Sequence, residues 1–272
     1  MDDLLEKLRL INQMLQREGG FINTAALKDG SEELPFQEMT KVLARILEAN
    51  VYLIDVKGVL LGFSEAIDIN NARVKQMLAD KKFPFNYAND LAGLATTTAN
   101  IGIESDITVF PIETRDIFVK GLTTITPIFV AGKRLGSLIF ARIEPSFDSG
   151  DLILAEYSGT VMGIEMLHLM NLKIEEAAKV NTSVEIALKS MSYSELKAIK
   201  EIFNTISDLE TLINASKIAT KNELTRSVIV NALRKMESAG ILESKSLGMK
   251  GTHIRVFSSQ LLETVKQKLQ KE

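Results

Sequence analysis

The stretch ASKIATKNELTRSVIVNALRKMESAGILESKSLGMKGTHIRV, residues 215–256, decides how the C-terminal part of the chain folds. Ser216 can cap a short helix that runs through Ala219, and a polar turn follows at residues 220–223. A second helix fits residues 225–238, because apolar side chains recur there at steps of three and four residues. These side chains are Val228, Ile229, Ala232, Leu233 and Met236. The pattern predicts two helices joined by a turn.

The residues after the second helix predict a β-hairpin. Gly240 is the kind of residue that ends a helix. Residues 241–246 and 252–257 then alternate like strands around a glycine-bearing loop at 247–251. A helix–turn–helix followed by such a β-wing is the winged-helix arrangement, whose second helix can enter the DNA major groove. The usual turn glycine is replaced by Glu223, and because a non-glycine residue at positive φ is uncommon, we expect the turn to differ locally.

The polar side chains of this region indicate DNA contact. A simpler interpretation of one amphipathic helix is an ordinary solvated basic face. Local charge favours DNA, because residues 211–258 hold eight Lys/Arg and three Asp/Glu, a net charge of +5, whereas the whole chain has −3. We expect base contacts from Arg226, Ser227 and Asn231, phosphate contacts from Ser216, Lys250 and Thr252, and further DNA-facing positions at Thr225, Arg234 and Lys235.

Composition argues against most catalytic and membrane functions. The 272-residue chain has no cysteine, which excludes disulfides, thiol catalysis and cysteine-based zinc sites. Its two histidines, His168 and His253, are far apart in sequence, and acid pairs such as Glu175 and Glu176 have no partner that would tune them. We therefore expect no catalytic residues and no metal. The chain has no signal-like N-terminus and no apolar run of spanning length, so we expect a cytoplasmic protein without a membrane partner.

The first 150 residues carry the alternating patterns of an α+β domain. A glycine-bearing turn at 55–58 predicts a hairpin between the first two strands. Residues 18–34 are rich in glycine and acidic residues, which is typical of a loop. Helices flanking an antiparallel sheet are the expected architecture. Helices are predicted at 4–15, 36–49 and 69–80, and strands at 51–54, 59–63, 106–112, 123–130 and 135–143.

A long helix is predicted between the two ends of the chain. Asp151 could cap it, and residues 152–170 are apolar on several faces, so the helix either lies deep in a core or also contributes to a dimer. Ser192 and Glu195 match the capping box and begin a new helix. The predicted domains are 1–150, a sensor; 151–190, the connecting helix; and 191–272, the winged helix.

Several segments resemble the CodY family of nutrient-sensing global transcriptional regulators. They include LTRSVIVNALRKMESAGILESKSLGMKGT (224–252), the N-terminal LLEKLRLINQMLQ, GLTTITPI, AGKRLGSLI and DLILAEYSGTVMGIE. The resemblance spans most of the chain. It implies a GAF-like sensor domain and mainly repression of genes for nitrogen and amino-acid metabolism. The alternative is an enzyme of amino-acid or nucleotide metabolism with an accessory DNA-binding domain, which would need a nucleophile or a tuned acid–base pair.

The resemblance also implies an effector site. In the family, the arginine that corresponds to Arg73 binds the carboxylate of a branched-chain amino acid (isoleucine, valine or leucine). Apolar residues surround the side chain of that ligand. From the residues alone, Arg73 would be a solvated cation beside an ordinary core. The implied ligand-binding residues are Arg73, Val74, Met77, Phe83, Pro84, Tyr87, Thr108, Phe110, Pro111 and Ile112.

Two further expectations follow from the resemblance. The family is GTP-sensing, but the first hairpin here has Asp55 and only one lysine, Lys57, so we expect GTP to bind weakly. The implied partners are double-stranded DNA containing an AT-rich inverted repeat and a second copy of the chain in a homodimer or higher homo-oligomer.

Overall fold

The computed structural model describes residues 2–16, 22–27, 31, 33–69, 71–111, 113 and 116–271. Its contacts divide the chain into two compact units, Met1–Met170 and Asn171–Glu272. The first unit combines five strands with helices. Its helices are α1 (Asp2–Leu15), α2 (Gln37–Leu47), α3 (Ala72–Ala79) and α4 (Phe85–Ala92), with a 3₁₀ turn at Thr24–Leu27. Its strands are β1 (Asn50–Asp55), β2 (Leu60–Ser64), β3 (Thr98–Gly102), β4 (Gly121–Val130) and β5 (Lys133–Ile143).

The five strands form one antiparallel sheet in the order β2-β1-β5-β4-β3. Successive side chains of a strand point to opposite sides of the sheet, and here both sides are covered by other parts of the chain. Val51 and Leu53 join a core with α1, α2 and the beginning of the following long helix. Tyr52 and Ile54 face the other way, into a core with Phe83 and the residues around α4. The second face holds the predicted effector site.

This second face differs from the sequence prediction. The prediction of a strand at 106–112 is wrong over residues 106–111, which form turns and irregular backbone, and Ile112 lies outside the described residues. Helix α4 and edge strand β3 were not predicted. Helix α3 begins later than predicted, since Asn71 caps it by accepting hydrogen bonds from the N–H groups of Arg73 and Val74 at 2.8 and 3.2 Å.

A single helix, α5 (Ser149–Lys189), extends over 41 residues. The prediction that Asp151 caps this helix is wrong, because Asp151 lies inside its first turn. Asp148 caps it instead: its Oδ1 accepts the Asp151 N–H at 2.9 Å, and Asp151 Oδ2 accepts the Asp148 N–H at 3.2 Å. Within the described part of the chain, no helix is both long and apolar enough to cross a membrane.

The second unit is a small helical domain with a three-stranded sheet. After the end of α5 come α6 (Tyr193–Thr205), β6 (Glu210–Ile213), α7 (Ala215–Lys221), α8 (Arg226–Ser238), β7 (Leu242–Ser246), β8 (Thr252–Val256) and α9 (Ser259–Leu269). The predicted capping box is confirmed, with Ser192 and Glu195 bonding each other's backbone N–H. The antiparallel sheet has the order β6-β8-β7.

The helix–turn–helix follows the sequence pattern with two corrections. Asn214 caps α7 by accepting the Lys217 N–H at 3.0 Å, so the prediction that Ser216 is the cap is wrong. Glu223 has a φ of 57°, so it adopts the left-handed backbone conformation that favours glycine, and the local difference expected in this turn is not observed. The apolar face of α8 is buried, as its three- and four-residue spacing predicted; its buried residues are Ile229, Ala232, Leu233 and Met236.

Candidate functional site

A small apolar cavity of about 80 Å³ opens on the second face of the first unit. Its wall comes from three places in the sequence, namely α3, the residues around the start of α4, and the irregular segment 108–111. The lining residues are Arg73, Val74, Met77, Phe83, Pro84, Tyr87, Thr108, Val109, Phe110 and Pro111. The structure therefore brings together nine of the ten predicted ligand residues; the tenth, Ile112, is outside the described residues. Val109 was not predicted to line it.

Aromatic rings form the floor of the cavity. The ring centroids of Phe83 and Tyr87 are 5.7 Å apart in a stacked arrangement, and Phe83 meets Tyr52 edge-on, also at 5.7 Å. The Tyr87 hydroxyl donates to the Ile107 carbonyl at 3.1 Å, which ties α4 to the segment 108–111. Removal from water raises the pKa of the Tyr87 phenol, so this group stays a neutral donor.

The opposite wall rests on hydroxyl groups rather than on strand pairing. The hydroxyl oxygens of Thr108 and Thr123 lie 3.0 Å apart in the buried layer, and the Thr123 oxygen accepts the Val109 N–H at 3.2 Å. Phe110 packs directly over Gly121, where an added Cβ would lie 2.8 Å from the ring. The Phe110 and Phe118 rings are 5.4 Å apart. These contacts hold an irregular backbone beside the cavity.

Arg73 stands at the rim with its side chain 65% exposed. Its Nη1 lies 3.4 Å from Oε1 of Glu113, a carboxylate that the sequence analysis did not assign to the site. An exposed ion pair of this kind contributes about 0–1 kcal/mol. The guanidinium is therefore free to meet a stronger anionic partner. Among the residues that the structure describes, the cavity therefore has a mainly apolar lining with the Arg73 cation at its mouth.

The first hairpin gives Asp55 a structural role. Its Oδ1 accepts the N–H groups of Lys57 and Val59, both at 2.8 Å, and this closes the turn between β1 and β2. The sequence analysis treated Asp55 only as a charge that would repel a triphosphate. Among the described residues, no group of three or more His, Asp or Glu side chains is arranged to hold a metal ion.

A second candidate surface lies on α8. Arg226, Ser227, Asn231 and Arg234 are all exposed, on the side away from the buried apolar residues. Thr225 caps the helix by accepting the Val228 N–H at 3.4 Å, and its hydroxyl is 2.8 Å from that of Ser227. The exposed polar face of the predicted recognition helix is thus intact in the fold.

Lys235 is separate from this face. Its Nζ donates to the Ser190 carbonyl at 2.7 Å and to Glu195 Oε2 at 2.8 Å. The hydrogen bond from Lys235, with help from the Ser192 N–H, lowers the pKa of the buried Glu195 carboxyl. The amine joins α8 to the end of α5 and the start of α6, and we correct its assignment as a DNA-facing residue.

The wing carries two further predicted DNA contacts, Lys250 and Thr252, whereas the third, Ser216, is exposed on α7. A 3₁₀ turn, Gly248–Lys250, connects β7 and β8, and Lys250 is exposed at its end. Gly251 has a φ of 113°, and a Cβ there would lie 2.5 Å from the Ile213 carbonyl oxygen. Only glycine fits this position, so the wing begins β8 with Thr252 at a fixed place.

Comparisons with known proteins agree with both halves of this arrangement. The family model of the CodY GAF-like domain matches residues 3–190, and that of the CodY helix-turn-helix domain matches residues 209–268. The chain is 49% identical over 259 residues to the global transcriptional regulator CodY of Listeria welshimeri, which covers 95% of this chain and 96% of that protein. It is 48% identical over 260 residues to the protein of the same name from Geobacillus kaustophilus, covering 96% of each.

Solved structures include a domain that is similar to part of the chain. It is the cofactor-binding GAF domain of the nutrient sensor CodY from Clostridium difficile, with 29% identity, a TM-score of 0.42 and coverage of 60% of this chain and 97% of that one. The two family models and the relatives confirm the resemblance seen in the sequence and favour a regulator over the enzyme alternative. The chain belongs to the CodY family of global transcriptional regulators, with a GAF-like sensor domain and a DNA-binding helix–turn–helix domain.

Proposed function

We propose that the cavity binds a branched-chain amino acid (isoleucine, valine or leucine) and that this ligand strengthens DNA binding. The observation that carries the proposal is the combination of a small apolar cavity with the Arg73 guanidinium at its mouth. A guanidinium offers two parallel N–H donors to one carboxylate. Each CH₂ that the ligand side chain buries is worth about 0.8 kcal/mol, which favours branched aliphatic side chains over alanine.

Replacing Arg73 with alanine tests the carboxylate clamp. We expect Arg73→Ala to weaken isoleucine binding about a hundredfold, because a charge-assisted pair with the carboxylate contributes roughly 3 kcal/mol. Folding is expected to survive, since the side chain is 65% exposed. Calorimetric titration of the full chain measures the affinity, and Lys82→Ala removes a nearby exposed cation as the control. Equal isoleucine affinity in wild type and Arg73→Ala would eliminate the clamp.

GTP is proposed to bind weakly or not at all at the first hairpin. A triphosphate needs several cationic donors, and this turn presents Lys57 beside the Asp55 carboxylate. Because Asp55 already accepts two backbone N–H groups, it is held in place rather than free to move aside. Micromolar GTP binding in the same calorimetric assay, competed by no amino acid, would place a second site elsewhere in the chain.

The winged helix is proposed to read an AT-rich inverted repeat as a dimer. Arg226, Ser227 and Asn231 would contact base edges from α8, and Ser216, Lys250 and Thr252 would contact phosphates. Arg234 is exposed on the same face and would add a further cation. Regulated genes are proposed to belong to nitrogen and amino-acid metabolism, mainly under repression.

Loss of a base contact and loss of a phosphate contact should change DNA binding in different ways. We expect Arg226→Ala and Asn231→Ala to flatten the preference for the operator over unrelated DNA, since a bidentate base contact is worth about 1–3 kcal/mol of discrimination. Lys250→Ala should instead weaken operator and unrelated DNA about equally and reduce the salt dependence. Competition gel shifts at two salt concentrations measure both effects. Unchanged affinity and specificity in Arg226→Ala would refute the assignment of α8.

A mechanism links the two sites. We propose that the ligand orders the residues around Phe83 and Phe110, and that this ordering changes the position of α5. In a dimer, such a change would set the spacing of two recognition helices to that of an inverted repeat. The ligand then acts by favouring one state of the protein over another.

A further inference from the structure

Arg134 lies at the start of β5 and makes contacts that the functions above do not use. Its Nη2 donates to the Leu91 carbonyl at 2.7 Å and to Ser137 Oγ at 3.0 Å, and its Nη1 donates to the Leu94 carbonyl. The guanidinium carbon also lies 5.5 Å from the centroid of the Phe129 ring. The sequence around it, GKRLG, resembles a phosphate loop only superficially, since β5 rather than a helix follows.

These carbonyls belong to the end of α4. The helix ends at Ala92; the Leu91 carbonyl lies in its last turn, where it also accepts the Leu94 N–H at 3.0 Å, and the Leu94 carbonyl lies just beyond that end. A cation at this end also interacts favourably with the helix dipole. Arg134 therefore closes the C-terminal end of α4 from a strand more than forty residues away.

The N-terminal end of α4 forms part of the cavity wall. Phe83 and Pro84 directly precede α4, and Tyr87 lies in its first turn. The Phe83 N–H donates to the Gly58 carbonyl at 2.7 Å, which fixes the entry to the helix. With only eight residues, α4 is too short to hold its conformation alone. Its position depends on what fastens both ends.

Arg134 bonds to the end of α4 without a carboxylate partner among the described residues. Among the described residues, no carboxylate lies within ion-pair distance of its guanidinium, and burial lowers the pKa of Arg134. Placing an unpaired cation in a partly buried position costs free energy. Here the cost is offset by hydrogen bonds to helix carbonyls, and these bonds locate α4 against the sheet.

We propose that Arg134 is a positioning residue of the effector site: by fastening the end of α4 to β5, it holds the aromatic floor of the cavity in its binding geometry. This inference rests on the proposed function, since the ligand it serves is the branched-chain amino acid. Arg134 itself does not touch the ligand. It acts through the helix that carries Tyr87.

Calorimetric titration of the full chain with isoleucine tests the inference. We expect Arg134→Met, which keeps an unbranched stem but removes the guanidinium donors, to weaken isoleucine binding about tenfold. Arg134→Lys keeps a cation but cannot bridge both carbonyls in one plane, so its affinity should be intermediate. The matched control is Lys133→Met, which removes the neighbouring exposed cation and should bind like wild type. DNA affinity measured without isoleucine should be the same in all four proteins.

Hydrogen exchange separates positioning from general destabilisation. Amides of α4 should exchange faster in Arg134→Met, while those of β1 and β5 keep the wild-type rate. Wild-type isoleucine affinity in folded Arg134→Met would overturn the inference, as would accelerated exchange over the whole sheet. If Arg134→Met does not fold, wild-type affinity in Arg134→Lys overturns it instead. If wild-type protein binds no branched-chain amino acid, the proposed function fails, and the exchange rates still decide whether Arg134 fastens α4.

Discussion

In the effector site, the Glu113 carboxylate competes with the carboxylate of the ligand for the guanidinium of Arg73. The Glu113 carboxylate lies 3.4 Å from the guanidinium that we assign to the ligand. A ligand carboxylate must displace or share this partner, and the two anions repel each other. We expect Glu113→Gln to strengthen isoleucine binding about two- to fivefold, since an exposed pair contributes up to about 1 kcal/mol.

The isoleucine titration at low and at high salt measures this effect. The gain in affinity should shrink at high salt, because exposed charges are screened. The Arg73→Ala variant provides the control, since Glu113→Gln should have no effect in its background. Weaker binding in Glu113→Gln would instead mean that this carboxylate holds the ligand's ammonium group.

Single residues also show what sequence reasoning can anticipate. The pattern identified Glu223 as the residue in place of the turn glycine, but a local difference in the turn was expected there, and its φ is instead 57°. The role of Lys235 was not anticipated, because a lysine at the edge of a polar helix face carries no sequence signal of its partner. That partner, Glu195, is forty positions away in sequence and was recognised only as part of a capping box.

At the scale of elements, helices and strands with a strong local sequence pattern were predicted correctly, whereas an element that depends on contacts from distant residues was missed. Helix α8 and the wing have strong apolar periodicity and turn glycines, so each could be located from its own residues. Helix α4 contains two asparagines, an aspartate and two aromatic residues, which are weak helix formers. Its stability comes from Phe83 at one end and Arg134 at the other, and neither contact is visible in the local pattern.

The segment 106–111 illustrates the opposite error. Its Ile107 and Val109 alternate as in a strand, yet the backbone satisfies its donors with threonine hydroxyls instead of a neighbouring strand. The strand that pairs with β4 on the side away from β5 is Thr98–Gly102, whose register is interrupted near Asn100 at a φ of 54°. Nine cavity residues could still be assigned, because the family resemblance gave their positions without requiring the correct local structure.

The bond between Lys235 and Glu195 predicts a pH dependence of stability. The pKa of folded Glu195 is lowered by Lys235, so the folded state resists protonation more than the unfolded state does. The stabilisation is complete above the ordinary carboxyl pKa of about 4.3 and is lost as pH falls through the lower pKa of the folded protein. We expect Lys235→Met to lower the free energy of unfolding by roughly 2 kcal/mol at neutral pH.

Denaturant unfolding of the full chain at several pH values checks this prediction. The difference between wild type and Lys235→Met should narrow as the solution is acidified below pH 4. The control is Arg234→Met, the preceding cation, which is exposed and should leave stability nearly unchanged. A difference that stays constant down to pH 3 would argue that Lys235 stabilises α8 by packing alone.

At the scale of the whole molecule, α5 retains exposed apolar surface. Ile164, Leu167 and Ile174 are exposed and recur at spacings that keep them on one stripe of the helix. We expect the full chain and a truncated chain of residues 1–190 to sediment as dimers. Replacing Ile164 and Leu167 together by asparagine should shift the equilibrium to monomer, because the stripe would lose apolar surface.

Sedimentation equilibrium from low to high micromolar concentration measures this shift. Lys173→Ala, an exposed polar change on the same helix, is the control and should remain dimeric. A clean monomer of residues 1–190 at high micromolar concentration would count against a dimer formed by the sensor half or the long helix.

The unbroken α5 also restricts how the length of this protein can vary. Its early residues, such as Val161 and Met162, are buried in one core, and its late residues, such as Val184 and Leu188, are buried in another. One residue inserted within either buried part would turn the apolar side chains that follow it by about 100° away from the core they fill, whereas seven residues would restore their direction to within about 20°. Surface loops tolerate additions of many sizes, because their side chains fill no core. Within each buried part of α5, by contrast, we expect the length to change only in steps close to whole numbers of turns.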